Sequence, residues 1–496
     1  MKFTLVLVEI RAGFPGFSGH YSEGVASLAA VTRRCGHDFE LVHLTKPIAA
    51  AALAHRVART KPDLVGFSCT THTFPYAQAF IPVLKAALPG TPIVLGGVHA
   101  LLNPEACLGV RGLDAVCLGE GEAVLEAMLA RLGAGQSLAD LAGLWVREGE
   151  VVHRNAVLPL LEDLDALPLP ERGIFDFPRL MTSREGVLYI FASRGCPYSC
   201  HFCCNAAIRE RFPNRARYVR FKSVPRVCEE IETALRLFPG TARGIYFQDE
   251  ILPMNKVWFA SFTAMYRQRI GLPFNCNLRA DLVTEELVTQ LRGAGCAGVS
   301  IGLETGSQSL RKEVLGKAIA DEVFHEACRL IRAAGIRITA FSMVGLPGET
   351  VEDALATVQM NADLGVHRTC ISIFCPYPDT RLYAECKERN LLSAPLPDTY
   401  QEASPLVQES IQERQVRFIH DHFGLLVSLA AKPHSRLRAV LWGAIRRNAP
   451  ILSAFSRGQR WAKYLLSRPY LFAGRFLFNR QKRIFVAEPG GRPQES

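Results

Sequence analysis

The sequence predicts an α/β protein in four segments. A doubly wound, Rossmann-like domain covers 1–135 and a connector with a small hairpin covers 136–186. A partial (β/α)6 TIM-type barrel covers 187–390, and a mainly helical basic extension covers 391–496. Three observations carry this reading. Apolar strand-like runs alternate with helical stretches twice, once on each side of the connector, which argues for parallel sheets with ligands at the carboxyl ends of the strands. A run of closely spaced cysteines directly follows the first strand of the second series. After residue 390 the alternation stops, and between Lys432 and Arg483 stand thirteen Lys or Arg and no Asp or Glu.

At 496 residues, with 49% apolar and 21% charged residues, the chain reads as an ordinary soluble protein of two or three domains. The net charge of +10 belongs to the tail and says nothing about the rest, which is close to neutral. Fifteen cysteines are scattered through apolar runs such as Val116-Cys117-Leu118, the usage of a reducing compartment rather than a disulfide framework. The N-terminal run Phe3–Val8 is too short for a signal peptide and reads as a core strand. No stretch reaches the roughly 18 uninterrupted apolar residues of a membrane span. A cytoplasmic protein is expected.

Residues 194–204 read Arg-Gly-Cys-Pro-Tyr-Ser-Cys-His-Phe-Cys-Cys. Cys196, Cys200 and Cys203 stand in C-x3-C-x2-C spacing, with Phe202 before the third. Three thiolates on one short loop can converge on a single cluster, whereas zinc sites normally bring two C-x2-C halves and no second half is found. Three cysteines leave one iron of a 4Fe-4S cube without a protein ligand, able to hold a small molecule and so suited to chemistry rather than electron storage. Cys204 is out of register and reads as a non-ligand. The bland alternative is three buried cysteines that share a loop by chance. The triplet, its aromatic residue and the strand-like run Val187–Ala192 resemble the radical S-adenosylmethionine (SAM) superfamily. The resemblance implies that SAM chelates the open iron through its amino and carboxylate groups. It also implies that an electron from the cluster cleaves SAM to a 5′-deoxyadenosyl radical.

In the first series the strands are Phe3–Glu9, Phe39–Leu44, Asp63–Ser68, Pro92–Gly96 and Asp114–Leu118. Hydroxyl-rich Ser68-Cys69-Thr70-Thr71-His72-Thr73 follows the third, Gly96-Gly97-Val98-His99 the fourth, and Gly119-Glu120-Gly121-Glu122 the fifth. Paired glycines let a bulky ligand approach the backbone, although a generic nucleotide pocket would explain them too. The set is similar to the cobalamin-binding domain found ahead of many radical SAM domains. By that resemblance Ser68, Thr70, Gly96 and Gly97 line the slot for the cofactor's nucleotide tail. Cobalamin proteins that ligate cobalt through histidine carry D-x-H-x-x-G after the first strand. Here Ser18 stands in place of the Asp and Gly24 comes one residue late. His20 is therefore expected to lack an orienting carboxylate, and the cobalamin to be base-off without a histidine ligand. His20 and His99 read as structural or pocket-lining residues.

The connector holds a hairpin at Leu144–His153 and a Pro- and Leu-rich stretch, Leu158–Pro178, with no evident chemistry. Candidate strands of the second series are Val187–Ala192, Gly244–Gln248, Phe274–Asn277, Gly298–Leu303, Arg337–Val344 and Thr369–Phe374, which predict an incomplete parallel barrel. A second Rossmann-type sheet is the alternative. Polar residues at the strand ends are site candidates. Gln248-Asp249-Glu250 ends the second strand, where related enzymes meet the SAM ammonium group, and Asp249 is preferred over Glu250. Arg279 follows the third. Glu304, after Gly302-Leu303, is expected by resemblance to hydrogen-bond the SAM ribose or amino group. Gly345-Leu346-Pro347-Gly348-Glu349 is expected near the adenine, and Pro376-Tyr377-Pro378 ends the sixth.

Helices are expected at Ile411–Ala431, Ser435–Arg447 and Gln459–Leu466. Aromatic residues including Trp442, Trp461 and Phe472 interleave with Arg and Lys there. This suits a helical cap over the barrel, or peripheral contact of 432–483 with an anionic membrane. Nucleic acid is disfavoured, since no recognised module accompanies the charge. Cofactors implied together are a 4Fe-4S cluster, SAM and cobalamin, supplied by an external electron donor. The expected activity is methylation of an unactivated carbon in a small-molecule or lipid-like substrate. Alternatives are a non-methylating radical reaction such as oxidative ring closure, or, in another class, a cobalamin-binding or electron-transfer protein without turnover. Methylthiotransferases are disfavoured because their extra cysteine cluster is missing.

Overall fold

Lys2–Val8 (β1) is buried on both faces, as the apolar run Phe3-Thr4-Leu5-Val6-Leu7-Val8 requires of a central parallel strand. The computed structural model describes residues 1–10, 17–180, 184–392 and 403–431, with 442, 443, 445 and 446. Strand β1 pairs in parallel with Asp38–Leu44 (β2) on one side and Leu64–Ser68 (β3) on the other. Ile93–Gly96 (β4) and Ala115–Cys117 (β5) extend the parallel sheet from β3. The order β2-β1-β3-β4-β5 reverses direction between β1 and β3, so a crevice opens outside their carboxyl ends. Leu144–Glu148 (β6) and Val151–Arg154 (β7) add to β5 as an antiparallel hairpin. This corrects the expectation that the hairpin belongs to the connector: the first sheet runs on to Arg154.

The second sheet is wholly parallel. Val187–Ile190 (β8) leads into Ser193–Arg194 (β9), which pairs antiparallel with Arg220–Phe221 (β10) as a two-stranded ribbon beneath the cysteine loop. The remaining strands are Gly244–Phe247 (β11), Phe274–Leu278 (β12), Cys296–Glu304 (β13), Arg337–Val344 (β14) and Arg368–Ile373 (β15). They pair in the order β15-β14-β13-β12-β11-β8, a half-barrel of six strands. Its helices begin where the sequence places caps. Ser223 accepts from Arg226 N–H ahead of helix Val224–Leu237, and Thr350 with Asp353 forms a capping box ahead of Val351–Asp363. Helix Glu413–Ala430 packs on Val351–Asp363 through Val416, Ile419, Phe423 and Leu426. The expected helix Gln459–Leu466 and all but four residues of Ser435–Arg447 lie outside the described residues, as does the basic run 432–483 apart from the same four positions. Among the described residues no helix is long and apolar enough to cross a membrane.

One core passes through both sheets: Phe3, Leu5 and Leu7 share it with Phe175, Phe177 and the barrel residues Leu188 and Ile190. The connector is part of that seam. Arg172, 3% exposed, donates from Nη2 to Glu230 Oε1 at 2.7 Å and lies 4.0 Å over the Tyr21 ring. Lys222 donates to Glu23 Oε1 at 2.7 Å and to Glu230 Oε2 at 2.6 Å. Burial raises the pKa of Glu230, but these two cations outweigh it and hold the carboxyl below its ordinary value. Removing one partner of such a network strands the other charges away from water. Glu230→Ala is therefore expected to destabilise the fold by about 3–5 kcal/mol, read as a lowered midpoint in urea, whereas exposed Glu229→Ala leaves the midpoint nearly unchanged.

Candidate cluster and cofactor site

The cysteine loop is fixed at both ends. At its start Gly195 has φ +89°, and a Cβ there would lie 2.3 Å from the Tyr218 carbonyl oxygen, so the position admits only glycine. At its far side His201 N–H donates to Leu315 O at 3.0 Å, and its carbonyl accepts from Leu382 N–H at 3.0 Å. Arg209 reaches back to Pro197 O and Ser199 Oγ, both at 2.8 Å.

Cys196, Cys200 and Cys203 are partly exposed and within electrostatic reach of one another. Cys203 is the most acidic of the loop: the Cys204 thiol donates to it and pulls its pKa down to about 7, against the effect of burial, while Cys204 itself is pushed up. Asn205 Nδ2 adds a contact to Cys203 Sγ at 3.8 Å. Burial pushes Cys196 up to about 11. Among the described residues no three metal-type side chains close on a point at single-ion spacing. An iron–sulfur cube takes one thiolate per iron, so its ligands stand farther apart than around one ion. Three thiols on one anchored loop, one of them acidic, fit a cube.

Asp249 does not have the role expected of it. It is fully buried. Its Oδ2 accepts from Ala192 N–H at 3.1 Å and its Oδ1 accepts from the Ser193 hydroxyl, tying the end of β11 to the base of the cysteine loop. Burial raises its pKa to about 6 in spite of these bonds. Its neighbour Glu250 is exposed, accepts from Asn205 Nδ2 at 3.3 Å, and acts electrostatically on Cys196 and Cys203. The two acids lie in the bend that follows β11, which buries Asp249 and leaves Glu250 exposed.

Glu304 lies by Cys200 on the opposite side, with φ +68° beyond a register shift in β13. Its Oε1 accepts from Lys317 Nζ at 2.9 Å, and the same ammonium is hydrogen-bonded to Gly302 O. Lys317 carries no strand or motif signal and was not anticipated. Glu349 is structural: one carboxylate oxygen accepts from Gly345 and Leu346 N–H, and the other is buried without a partner.

In the first domain the four slot residues lie together. Cys69 N–H donates to Gly96 O at 3.0 Å and His99 N–H to Cys69 O at 3.2 Å, which joins the Ser68–Thr70 and Gly96–Gly97 turns. Gly97, at φ +95°, would place a Cβ 2.6 Å from Cys69 O. His99 packs on Phe74 at 4.2 Å, its Nδ1 is 3.2 Å from Thr71 Oγ1, and burial lowers its pKa to about 4. His20 departs from expectation. Glu9, just past β1, supplies the carboxylate that Ser18 does not, with Oε1 3.3 Å from His20 Nδ1 and Oε2 2.7 Å from His43 Nε2. The slot opens toward the cysteine loop: helix Val98–Leu102 packs on helix Cys204–Glu210, and His72 Nε2 is 3.1 Å from Tyr377 Oη of the barrel. Glu120 and Glu122, at the fifth strand's turn, face inward to Arg194 at 3.0 and 2.6 Å rather than into the slot. The Gly96–Gly97 turn beside the hydroxyl-rich β3 turn, next to the topological switch, suits a planar cofactor with a tail.

Residues 18–129 match the B12 binding domain and residues 190–360 the radical SAM superfamily. The chain belongs to the radical SAM enzymes that carry a cobalamin-binding domain, for which cobalamin and SAM are cofactors. It is 26% identical to an uncharacterized methyltransferase of Pyrococcus horikoshii, over 79% of this chain and 84% of that one. It is 27% identical to the anaerobic magnesium-protoporphyrin IX monomethyl ester cyclase of Cereibacter sphaeroides, over 78% of this chain but only 64% of the cyclase. The fold is shared with the radical SAM methyltransferase TsrM of Kitasatospora setae, with TM-score 0.63 at 18% identity over 78% of this chain and 76% of that one.

Cys196→Ala, Cys200→Ala and Cys203→Ala are each expected to abolish the 4Fe-4S absorbance of anaerobically reconstituted protein, and Cys204→Ala to retain it. Glu349 predicts a pH effect. Its folded pKa is raised from 4.5 to about 8, chiefly by burial. Between those values the unfolded chain has lost this proton and the folded one retains it, so this group's contribution falls as pH rises. Stability measured by urea unfolding should decline less between pH 5 and 8 in Glu349→Gln than in the wild type.

Proposed function

We propose that the protein is a C-methyltransferase that acts on an unactivated carbon of a small, largely apolar molecule. The observation that carries this reading is the mutual facing of the two sites. The β3 and β4 turns close on helix Cys204–Glu210 and on Tyr377, so cobalamin and SAM serve one chamber. Bound together, the cluster and SAM supply hydrogen-atom abstraction and cobalamin supplies a methyl donor.

The chain's own residues provide position and exclusion. Glu250 suits the ammonium of SAM, and the Lys317–Glu304 pair on the other side of the loop suits its polar groups. At mid-height the barrel's inner face carries aromatic and polar side chains, with Arg368 of β15 within electrostatic reach of Tyr246. Tyr246 donates to Asn277 Oδ1 at 2.7 Å and lies 3.1 Å from Ser300 Oγ. Phe341, paired in register with Gly302, is 42% exposed on that same face. An apolar side chain exposed there suits an apolar substrate.

The second reading, a non-methylating radical reaction, is favoured by the similarity to the cyclase. The two are separated by an anaerobic reaction with SAM, reductant and methylcobalamin, analysed by mass spectrometry. Formation of both 5′-deoxyadenosine and S-adenosylhomocysteine is expected. Deoxyadenosine alone, with the cobalamin methyl group intact, would weigh against methyl transfer and toward the second reading, and the same result with the true methyl acceptor present would overturn it.

A further inference from the structure

The surroundings of the cysteine loop are electrostatically lopsided. Cys196 and Cys203 face the carboxylate of Glu250. Cys200 is within electrostatic reach of two cations, Lys317 and Arg279, and of the Glu304 carboxylate that pairs with Lys317. Arg279, just past β12, lies with its guanidinium carbon 3.5 Å over the ring of Tyr198, inside the loop. Its Nη1 points at Cys200 Sγ from 4.0 Å. Its Nε and Nη2 donate to the two carboxylate oxygens of Asp281 at 3.0 and 2.9 Å. The arginine side chain is 12% exposed and the aspartate 35%. Lys317 also acts on Cys200, but its ammonium is held by Glu304 and the Gly302 carbonyl.

We propose that Arg279 is a redox-tuning residue: its guanidinium, braced on Tyr198 and partly neutralised by Asp281, sets the reduction potential of the cluster held by Cys196, Cys200 and Cys203. The inference rests on the three-cysteine cluster and goes beyond it. One-electron reduction adds a negative charge to the cluster and its thiolates. A cation or N–H donor beside a ligand sulfur stabilises the reduced form and raises the potential. A carboxylate on that cation opposes the effect. Arginine suits the position because one planar group can stack on Tyr198, hold Asp281 with two hydrogen bonds and still present an N–H toward sulfur. A lysine offers a point charge without the plane or the fork.

The opposed signs make the test specific. Wild type, Arg279→Gln, Arg279→Lys and Asp281→Asn are reconstituted anaerobically as full-length protein and held without SAM. Each is then followed by redox potentiometry with EPR detection of the reduced cluster. Arg279→Gln is expected to shift the potential negative, lowering the ratio of reduced to oxidised cluster at a fixed poise about tenfold. Asp281→Asn is expected to shift it positive, and Arg279→Lys to fall between wild type and Arg279→Gln. A merely structural role would reduce iron content without moving the potential of the clusters that remain. Unchanged potentials at full iron content, or shifts of the same sign in Arg279→Gln and Asp281→Asn, overturn the proposal. If Arg279→Gln does not hold iron, Arg279→Lys and Asp281→Asn decide it by the same signs. A wild type that yields no reducible 4Fe-4S signal overturns the cluster assignment itself.

Discussion

The structure depends on charge buried at the junction of its two sheets. Glu120 accepts from Arg194 at 3.0 Å and from Arg220 at 2.8 and 2.9 Å, and Glu122 accepts from Arg194 at 2.6 Å. Arg194 is the residue immediately before Gly195 and the cysteine loop. Glu120 and Glu122 flank the turn that follows β5. The cysteine loop is therefore bonded directly to the B12-binding domain. Buried ion pairs of this kind add little net stability over a well-packed apolar seam, because desolvation offsets the attraction. They do fix geometry, since each guanidinium finds its partners in only one arrangement. A fixed arrangement of the two domains is what the proposed joint action of two cofactors on one substrate requires.

The fold was legible because both strand series announce themselves by apolar runs and intervening helices. The chief displacement was the hairpin of β6 and β7. It reads as a hairpin locally, but its pairing with β5 is a contact that no local pattern announces. The cysteine loop was legible for the opposite reason: its three ligands lie within eight consecutive residues. The rest of the site was harder to read. Asp249 and Glu250 are adjacent acids in the bend after β11, and only the folded chain's burial of one separates the acid that braces the loop from the exposed one beside it. The Glu9–His20 contact spans eleven residues across a loop. A motif search for Asp two positions before the histidine misses a carboxylate that arrives from the strand. Lys317 could not have been found, because its role is created by the chain's return to Glu304.

The cysteine loop also shows how one feature can serve several ends. Segment Val314–Lys317 follows a π turn over Leu310–Val314, an uncommon geometry that often marks a functional site. Val314 O is 3.0 Å from His201 Nδ1, and Leu315 O accepts from His201 N–H, so the segment holds the cysteine loop. Gly316 has φ +64°, and a Cβ there would lie 2.5 Å from the His201 ring. The next residue is Lys317.

Lys317 then closes the support. Glu304 sits at φ +68°, a conformation that costs a non-glycine residue about 1–3 kcal/mol and persists only where its surroundings impose it. The imposing groups can be named. Lys317 binds both Glu304 Oε1 and the Gly302 carbonyl, spanning the register shift in β13. Gly302 must lack a side chain, since a Cβ there would lie 2.2 Å from Glu304 Oε1 and 2.8 Å from Lys317 Nζ. The strained Glu304 carboxylate and the cysteine loop thus lean on one four-residue segment.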